Sequence, residues 1–142
     1  MALNTAQLQT DLQALFAAPS PNLTTLAGQW GDAMQVFFTG VVPPSTTVAT
    51  AITTFKASMV TDMPAGPAAV DAALTALATA IGLGMVPAFV STPPPTPPIA
   101  TNMGGAFPAT HAAAAIKWAG VFDAWAKTGI ATPPVGPPIL WT

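Results

Sequence analysis

The sequence predicts a mainly α-helical fold: a small bundle of about five helices, with extended proline-rich arms and a short β-pairing near the C-terminus. Apolar residues recur at intervals of three and four in these segments, which is the spacing of one helix face. Capping residues, Gly or Pro mark the segment ends. Many of the 17 prolines lie in stretches that cannot be helical.

The first two helices are predicted near the N-terminus. Asn4 opens the first helix, with Gln7 three residues later as in a capping box. The apolar stripe of this helix is Leu8, Leu12 and Leu15. The second helix follows Asn22 or Thr24 and ends at Gly40, because glycine commonly terminates helices. Its stripe consists of Leu23, Leu26, Trp30, Met34 and Phe37.

Three more helices follow the same spacing. The third begins after a cap at Ser45 or Thr46 and carries Val48, Ile52, Phe55 and Met59. The fourth closes at Gly82 or Gly84 and carries Val70, Leu74, Leu77 and Ile81. The fifth starts near Thr110 and carries the aromatic residues Trp118, Phe122 and Trp125.

We expect a single domain over residues 1–142, because a 14.2 kDa chain is long enough to build a core. Its predicted parts are a helical body (1–90), an extended Pro-rich linker (91–109), an aromatic helix (110–129) and an extended C-terminal arm (130–142). The linker contains Thr92-Pro-Pro-Pro-Thr-Pro-Pro98, which favours polyproline II.

Two short apolar runs leave helix ends in a similar way, namely Gly40-Val-Val-Pro-Pro44 and Gly129-Ile-Ala-Thr-Pro-Pro134. These runs predict short strands that pair either with each other or with the edge of a neighbouring subunit.

Charge is scarce in this chain: three Lys and five Asp are its only charged residues, and it has no Cys. Neighbouring molecules could therefore cover most of the surface while burying very few charges. Three scattered Lys and a pI near 4.7 argue against nucleic-acid binding, which needs clustered cations. We expect a non-enzymatic protein without catalytic residues, cofactor, metal site or small-molecule substrate.

Residues 72–90 form an uncharged stretch of nineteen residues, which is long enough to span a bilayer. The stretch is mostly Ala, includes Pro87, and has no flanking Lys or Arg to set an orientation. We therefore expect no membrane span. The N-terminal residues 1–13 lack a basic region and reach Asp11 early, so we expect no secretory signal.

The ionisable residues are scattered. His111 is the only histidine and lies at the predicted start of the fifth helix. A single His without Cys or Glu cannot assemble a usual zinc site. Asp71 is expected early in the fourth helix, where negative charge is favourable. Asp123 and Lys127 have the i,i+4 spacing of a helical ion pair.

Candidate interface residues lie in the two uncharged proline-rich segments. They are Ile130, Pro133, Pro134, Ile139, Leu140 and Trp141 in the arm, and Pro94, Pro95 and Pro97 in the linker. Trp141 stands out because an exposed Trp at the end of an apolar segment needs a receiving pocket, and Trp is enriched at interface hot spots. That pocket belongs either to a neighbouring subunit or to the same chain.

The sequence contains the motifs Leu-x-x-Leu-Phe16, Gln29-Trp-x-x-Ala-x-x-x-Phe-Phe38, His111-Ala-x-x-x-x-x-Trp118 and Trp125-x-x-Thr-Gly129. These motifs resemble those of small alanine-rich virion proteins of tailed bacteriophages, and the likeness is strongest over residues 107–142. The resemblance implies a non-enzymatic virion component that contacts other virion proteins and copies of itself. Tail, neck or baseplate positions are favoured over capsid decoration.

An alternative from another class is a secreted or surface-bound binding module, in which the Pro/Thr segments act as stalks. An enzyme is the least favoured class, because the side chains from which active sites are built are almost absent.

Overall fold

The computed structural model describes residues 2–85, 88–95 and 109–142. Over these residues the protein is mainly helical, with a small antiparallel sheet. The helices are α1 (Thr5–Ala17), α2 (Leu23–Thr39), α3 (Val48–Ala65), α4 (Pro67–Leu83) and α5 (His111–Ala126). The strands are β1 (Val90–Thr92), β2 (Ile130–Thr132) and β3 (Ile139–Leu140). The predicted fold class is confirmed.

Three helices begin with side-chain caps at the positions where the sequence predicts their starts. The side-chain oxygens of Asn4, Asn22 and Thr110 accept hydrogen bonds from backbone N–H groups three residues later. Each bond satisfies one of the donors that a helix start leaves without a partner. Of the two alternatives for α2, Asn22 is the cap.

The cap of α3 was predicted wrongly. Thr47 occupies this position, rather than Ser45 or Thr46, and its side chain makes no capping bond. The Ser45 hydroxyl donates instead to the carbonyl of Ile81, and the Thr47 hydroxyl donates to that of Ala80. Both hydroxyls therefore join the start of α3 to the end of α4, a contact that local sequence does not reveal.

The helices pack in the order α5, α1, α2, α3 and α4, each against the next. Short connections between α1 and α2 and between α3 and α4 make these pairs antiparallel neighbours. Gly66 separates α3 from α4 with φ of 112°, which favours glycine, and Pro67 then starts α4, where its missing N–H costs little. One apolar core joins residues from all five helices and from the strand segment.

The sheet has the order β1-β2-β3, with both pairs antiparallel. Strand β1 pairs Val90 with Thr132 and Thr92 with Ile130. The beginning of the predicted linker (91–109) is thus part of a sheet and not a spacer. The predicted extended arm (130–142) is folded back onto its own chain, because it supplies β2 and β3.

The two apolar runs at helix ends do not form a strand pair with each other. Ile130–Thr132 pairs with β1 and β3, while the backbone of Val42 exchanges two hydrogen bonds with that of Thr142. Both runs nevertheless contribute to the same end of the molecule.

Among the described residues, no helix is both long enough and apolar enough to cross a membrane. Helix α4, which contains most of the stretch considered above, ends at Leu83.

Candidate interaction surface

Trp141 is fully buried within its own chain. Its backbone N–H donates to the carbonyl of Gly129, and its ring lies against Gly129 and Gly82. A Cβ atom added to Gly129 would lie 2.6 Å from Cδ2 of the indole, which is closer than van der Waals contact allows. Glycine is therefore required at this position for the ring to pack over the end of α5.

The structure decides between the two alternatives for Trp141. The receiving pocket belongs to the same chain, so the indole is not available to a neighbouring subunit. Its Nε1, together with Nε1 of Trp125 and Oγ of Ser91, is buried without a hydrogen-bond partner within the described ranges. Apolar packing, and not hydrogen bonding by these groups, holds this junction together.

The sheet has an inner and an outer face, which the strand register defines. Paired residues of neighbouring strands point to the same face. Ser91, Ala131 and Ile139 share the inner face, where Ala131 is fully buried. The outer face carries Val90, Thr92, Ile130, Thr132 and Leu140. On this face Leu140 is 58% exposed and Val90 is 74% exposed.

The loop between β2 and β3 projects an apolar tip. Its sequence is Pro133-Pro-Val-Gly-Pro-Pro138, in which Val135 is 90% exposed. Gly136 has φ of 113°, a conformation that favours glycine and reverses the chain within the loop. Four prolines limit the backbone freedom of the remaining residues. We call the outer face of the sheet and residues 133–138 together the sheet-end surface.

The predicted interface residues divide between several locations. Ile130 and Leu140 are paired neighbours on the outer face, and Pro133 and Pro134 lie in the loop. Ile139 belongs to the inner face but is 38% exposed.

In the linker, Pro94 is buried within the chain, so it is not an accessible interface residue, and Pro95 is exposed. Pro97 lies outside the described residues.

The charged side chains lie on helices or directly at their ends. Lys56 pairs with Asp32 between α3 and α2. The predicted pair of Lys127 with Asp123 is present at 2.6 Å, and Asp123 also accepts a 2.6 Å hydrogen bond from Thr5 of α1. No charged side chain occurs in residues 128–142 or 88–95, which contain the sheet-end surface.

Two further expectations concern single ionisable residues. His111 is exposed at the first position of α5, as expected for a histidine at a helix start. Asp71 is the fifth residue of α4, early in the helix as expected, but it lies beyond the first turn, where the macrodipole acts most strongly, and it is only 4% exposed.

An apolar cavity of about 300 Å³ lies among all five helices. Its buried floor is formed by Phe55, Met59, Leu74, Trp118 and Phe122. Its mouth is formed by side chains that are partly or fully exposed, together with a glycine: Phe16, Trp30, Met63, Gly66, Pro67 and Val70. Sequence periodicity predicts most of these residues as core and cannot reveal a space between them.

The sheet-end surface and the cavity are formed mainly by apolar side chains, which suit packing against another molecule more than catalysis. Within the described parts of the chain, no three His, Cys, Asp or Glu side chains are grouped so that they could hold a metal ion. No family model, curated protein or solved structure matches this chain. Its function must therefore be inferred from its own distribution of charge, exposed apolar groups and cavities.

Proposed function

We propose that this protein is a non-enzymatic structural subunit of a bacteriophage virion, which packs against copies of itself and other virion proteins through the sheet-end surface. The particle is assembled in the host cytoplasm. The association needs no cofactor, small-molecule substrate, nucleic acid or membrane. A tail, neck or baseplate position is favoured over capsid decoration, on the motif resemblance described above.

The observation that carries this proposal is the segregation of charge. The charged side chains lie on or at the ends of helices, whereas the sheet-end surface exposes Val90, Val135 and Leu140 and carries no charge. The centres of protein interfaces are depleted of charged residues, because buried charges must be desolvated. Burial of this surface against a neighbour incurs no such cost.

The alternative of a secreted module with Pro/Thr stalks receives less support. A stalk requires an extended segment that leaves the body. Residues 130–142 instead form two strands, and Trp141 docks in the core.

Mass spectrometry of purified phage particles tests the proposed function. We expect peptides of this chain in the particles at a fixed ratio to the major structural proteins. A ratio near that of a six- or twelve-membered ring would indicate a tail, neck or baseplate position. Absence of the chain from particles that are otherwise complete would contradict the proposal.

The role of the sheet-end surface is tested by Leu140→Lys. Because Leu140 is 58% exposed, the change is expected to leave the fold intact and to weaken self-association about tenfold or more, since a charge would have to be buried in the interface. Sedimentation velocity over a concentration series measures this effect. Ile116→Lys on α5 is the matched control, because Ile116 is 56% exposed and lies outside the surface. Equal weakening of self-association by Leu140→Lys and Ile116→Lys would contradict the proposed role of the sheet-end surface.

A further inference from the structure

The sheet-end surface and the apolar cavity lie at opposite ends of the molecule. The mouth of the cavity includes Gly66 and Pro67 at the start of α4, whereas Gly82 at the end of α4 lies against Ser91 and Trp141. The sixteen residue steps from Gly66 to Gly82 correspond to about 24 Å of helix. The loop at residues 133–138 joins β2 to β3 and therefore belongs to the Gly82 end of α4, about one helix length from the Gly66 side of the cavity mouth.

The loop and the cavity are chemically complementary. The loop presents Pro and Val side chains without any charge, and its tip residue Val135 is 90% exposed. The cavity presents aromatic rings from Phe16, Trp30, Trp118 and Phe122. The four prolines restrict the backbone of this loop, so it would lose little conformational freedom on binding. Neither surface contains a charge that would have to be desolvated.

The size of the cavity also suits such a loop. An apolar cavity of about 150 Å³ accommodates benzene. The cavity of about 300 Å³ therefore has room for two groups of that size, such as the side chain of Val135 and one neighbouring proline ring.

From these observations we propose that the loop at residues 133–138 of one copy inserts into the aromatic cavity of a second copy. The contact is head-to-tail, because the two complementary elements occupy opposite ends of each chain. Head-to-tail contacts leave one free loop and one free cavity on every dimer, so they build rings or filaments instead of stopping at two subunits. This inference rests on the proposed function and names the partner of its surface.

Two variants test the loop and the cavity separately. Val135→Asp places a charge at the tip of the loop, and Pro67→Asp places one at the cavity mouth. Both variants are expected to fold, because Val135 and Pro67 are exposed. Pro67 is also the first residue of α4, and Asp is favourable at the start of a helix. Ile116→Asp is the matched control, since Ile116 is exposed and does not line the cavity.

We expect wild-type protein and Ile116→Asp to form species larger than dimers in sedimentation velocity. Each of the two test variants is expected to associate at least about tenfold more weakly, and their equimolar mixture to form 1:1 dimers and nothing larger. In the mixture, the intact loop of Pro67→Asp can bind the intact cavity of Val135→Asp. The other contact, between the loop of Val135→Asp and the cavity of Pro67→Asp, would bring two Asp side chains together. Circular dichroism checks that all variants are folded.

Three results would overturn the inference: a wild-type chain that stays monomeric at high concentration, variants that associate like wild type, or a mixture that stays monomeric. Failure of the proposed function is distinguishable from these results. A chain that is present in particles but associates independently of Val135 would refute only the head-to-tail contact. A chain that associates head-to-tail but is absent from particles would refute only the virion role.

Discussion

Replacement of Trp141 by alanine is expected to lower the free energy of unfolding by about 3–5 kcal/mol, the usual cost of removing a fully buried Trp. Trp141 is 0% exposed and contacts both Gly82 at the end of α4 and Gly129 after α5. Its removal would leave a cavity between the sheet and the helices. Because the free energy of unfolding of a small domain is only about 5–15 kcal/mol, this single change would remove a large part of the stability of the protein.

Urea unfolding followed by far-UV circular dichroism measures the effect of Trp141→Ala. Leu140→Ala is the matched control, because Leu140 is the adjacent residue in the chain and its side chain faces outward. The control is expected to change the free energy of unfolding by no more than about 0.5 kcal/mol. Similar unfolding midpoints for the two variants would show that Trp141 is not docked as described.

Gly129→Ala is expected to destabilise the protein by about 1–3 kcal/mol, the range found for overpacked sites. The added methyl group would lie 2.6 Å from Cδ2 and 2.8 Å from Cε2 of Trp141, so the ring or the backbone must move. In the Trp141→Ala background the same substitution is expected to cost much less, because the neighbouring ring is gone. A double-mutant cycle by urea unfolding measures this coupling.

The control for this experiment has the opposite expected sign. Gly120 lies within α5 and has no atom within 4 Å of an added Cβ. Gly120→Ala is therefore expected to raise the free energy of unfolding by about 0.5–1 kcal/mol, since alanine loses less conformational entropy in a helix. Destabilisation by Gly120→Ala as large as that by Gly129→Ala would refute the proposed clash with the indole.

The burial of Trp141 also changes the expected effect of truncation. If residues 130–142 formed an extended arm, as the sequence predicts, their removal would change assembly more than helix content. In the folded chain this segment supplies two strands and one fully buried indole. Its removal is therefore expected to destabilise the fold itself, which is why point changes at exposed positions test association better.

The helix ends that can be predicted are those that depend on residues close in sequence. Asn4, Asn22 and Thr110 each bond a backbone N–H only three residues away, so the cap is contained in a short segment. The start of α3 could not be predicted in this way. Ser45 and Thr47 have the right chemistry for caps, but their hydroxyls donate to carbonyls at the end of α4, more than thirty residues away.

The candidate interface was predictable only in part. Composition alone indicates that the C-terminal segment is uncharged and apolar, and that Trp141 needs a pocket. Which side chains of that segment face outward depends on strand register. The pairing of Ile130 with Leu140 places both on the outer face, whereas Trp141, one residue further, turns inward. The aromatic cavity was missed because a helix stripe has the same spacing whether its residues pack tightly or leave a space.

The sequence by itself determined the helical character of this protein, the approximate starts of α1, α2 and α5, the Asp123–Lys127 ion pair and the absence of charge from its proline-rich segments. All of these depend on spacing within one or two helix turns or on composition. Only the tertiary structure decided that Trp141 docks in its own chain, that Asp71 is buried, and that an apolar loop and an aromatic cavity lie at opposite ends of the molecule. These features depend on contacts between residues far apart in the chain, whose geometry is fixed by packing and strand register.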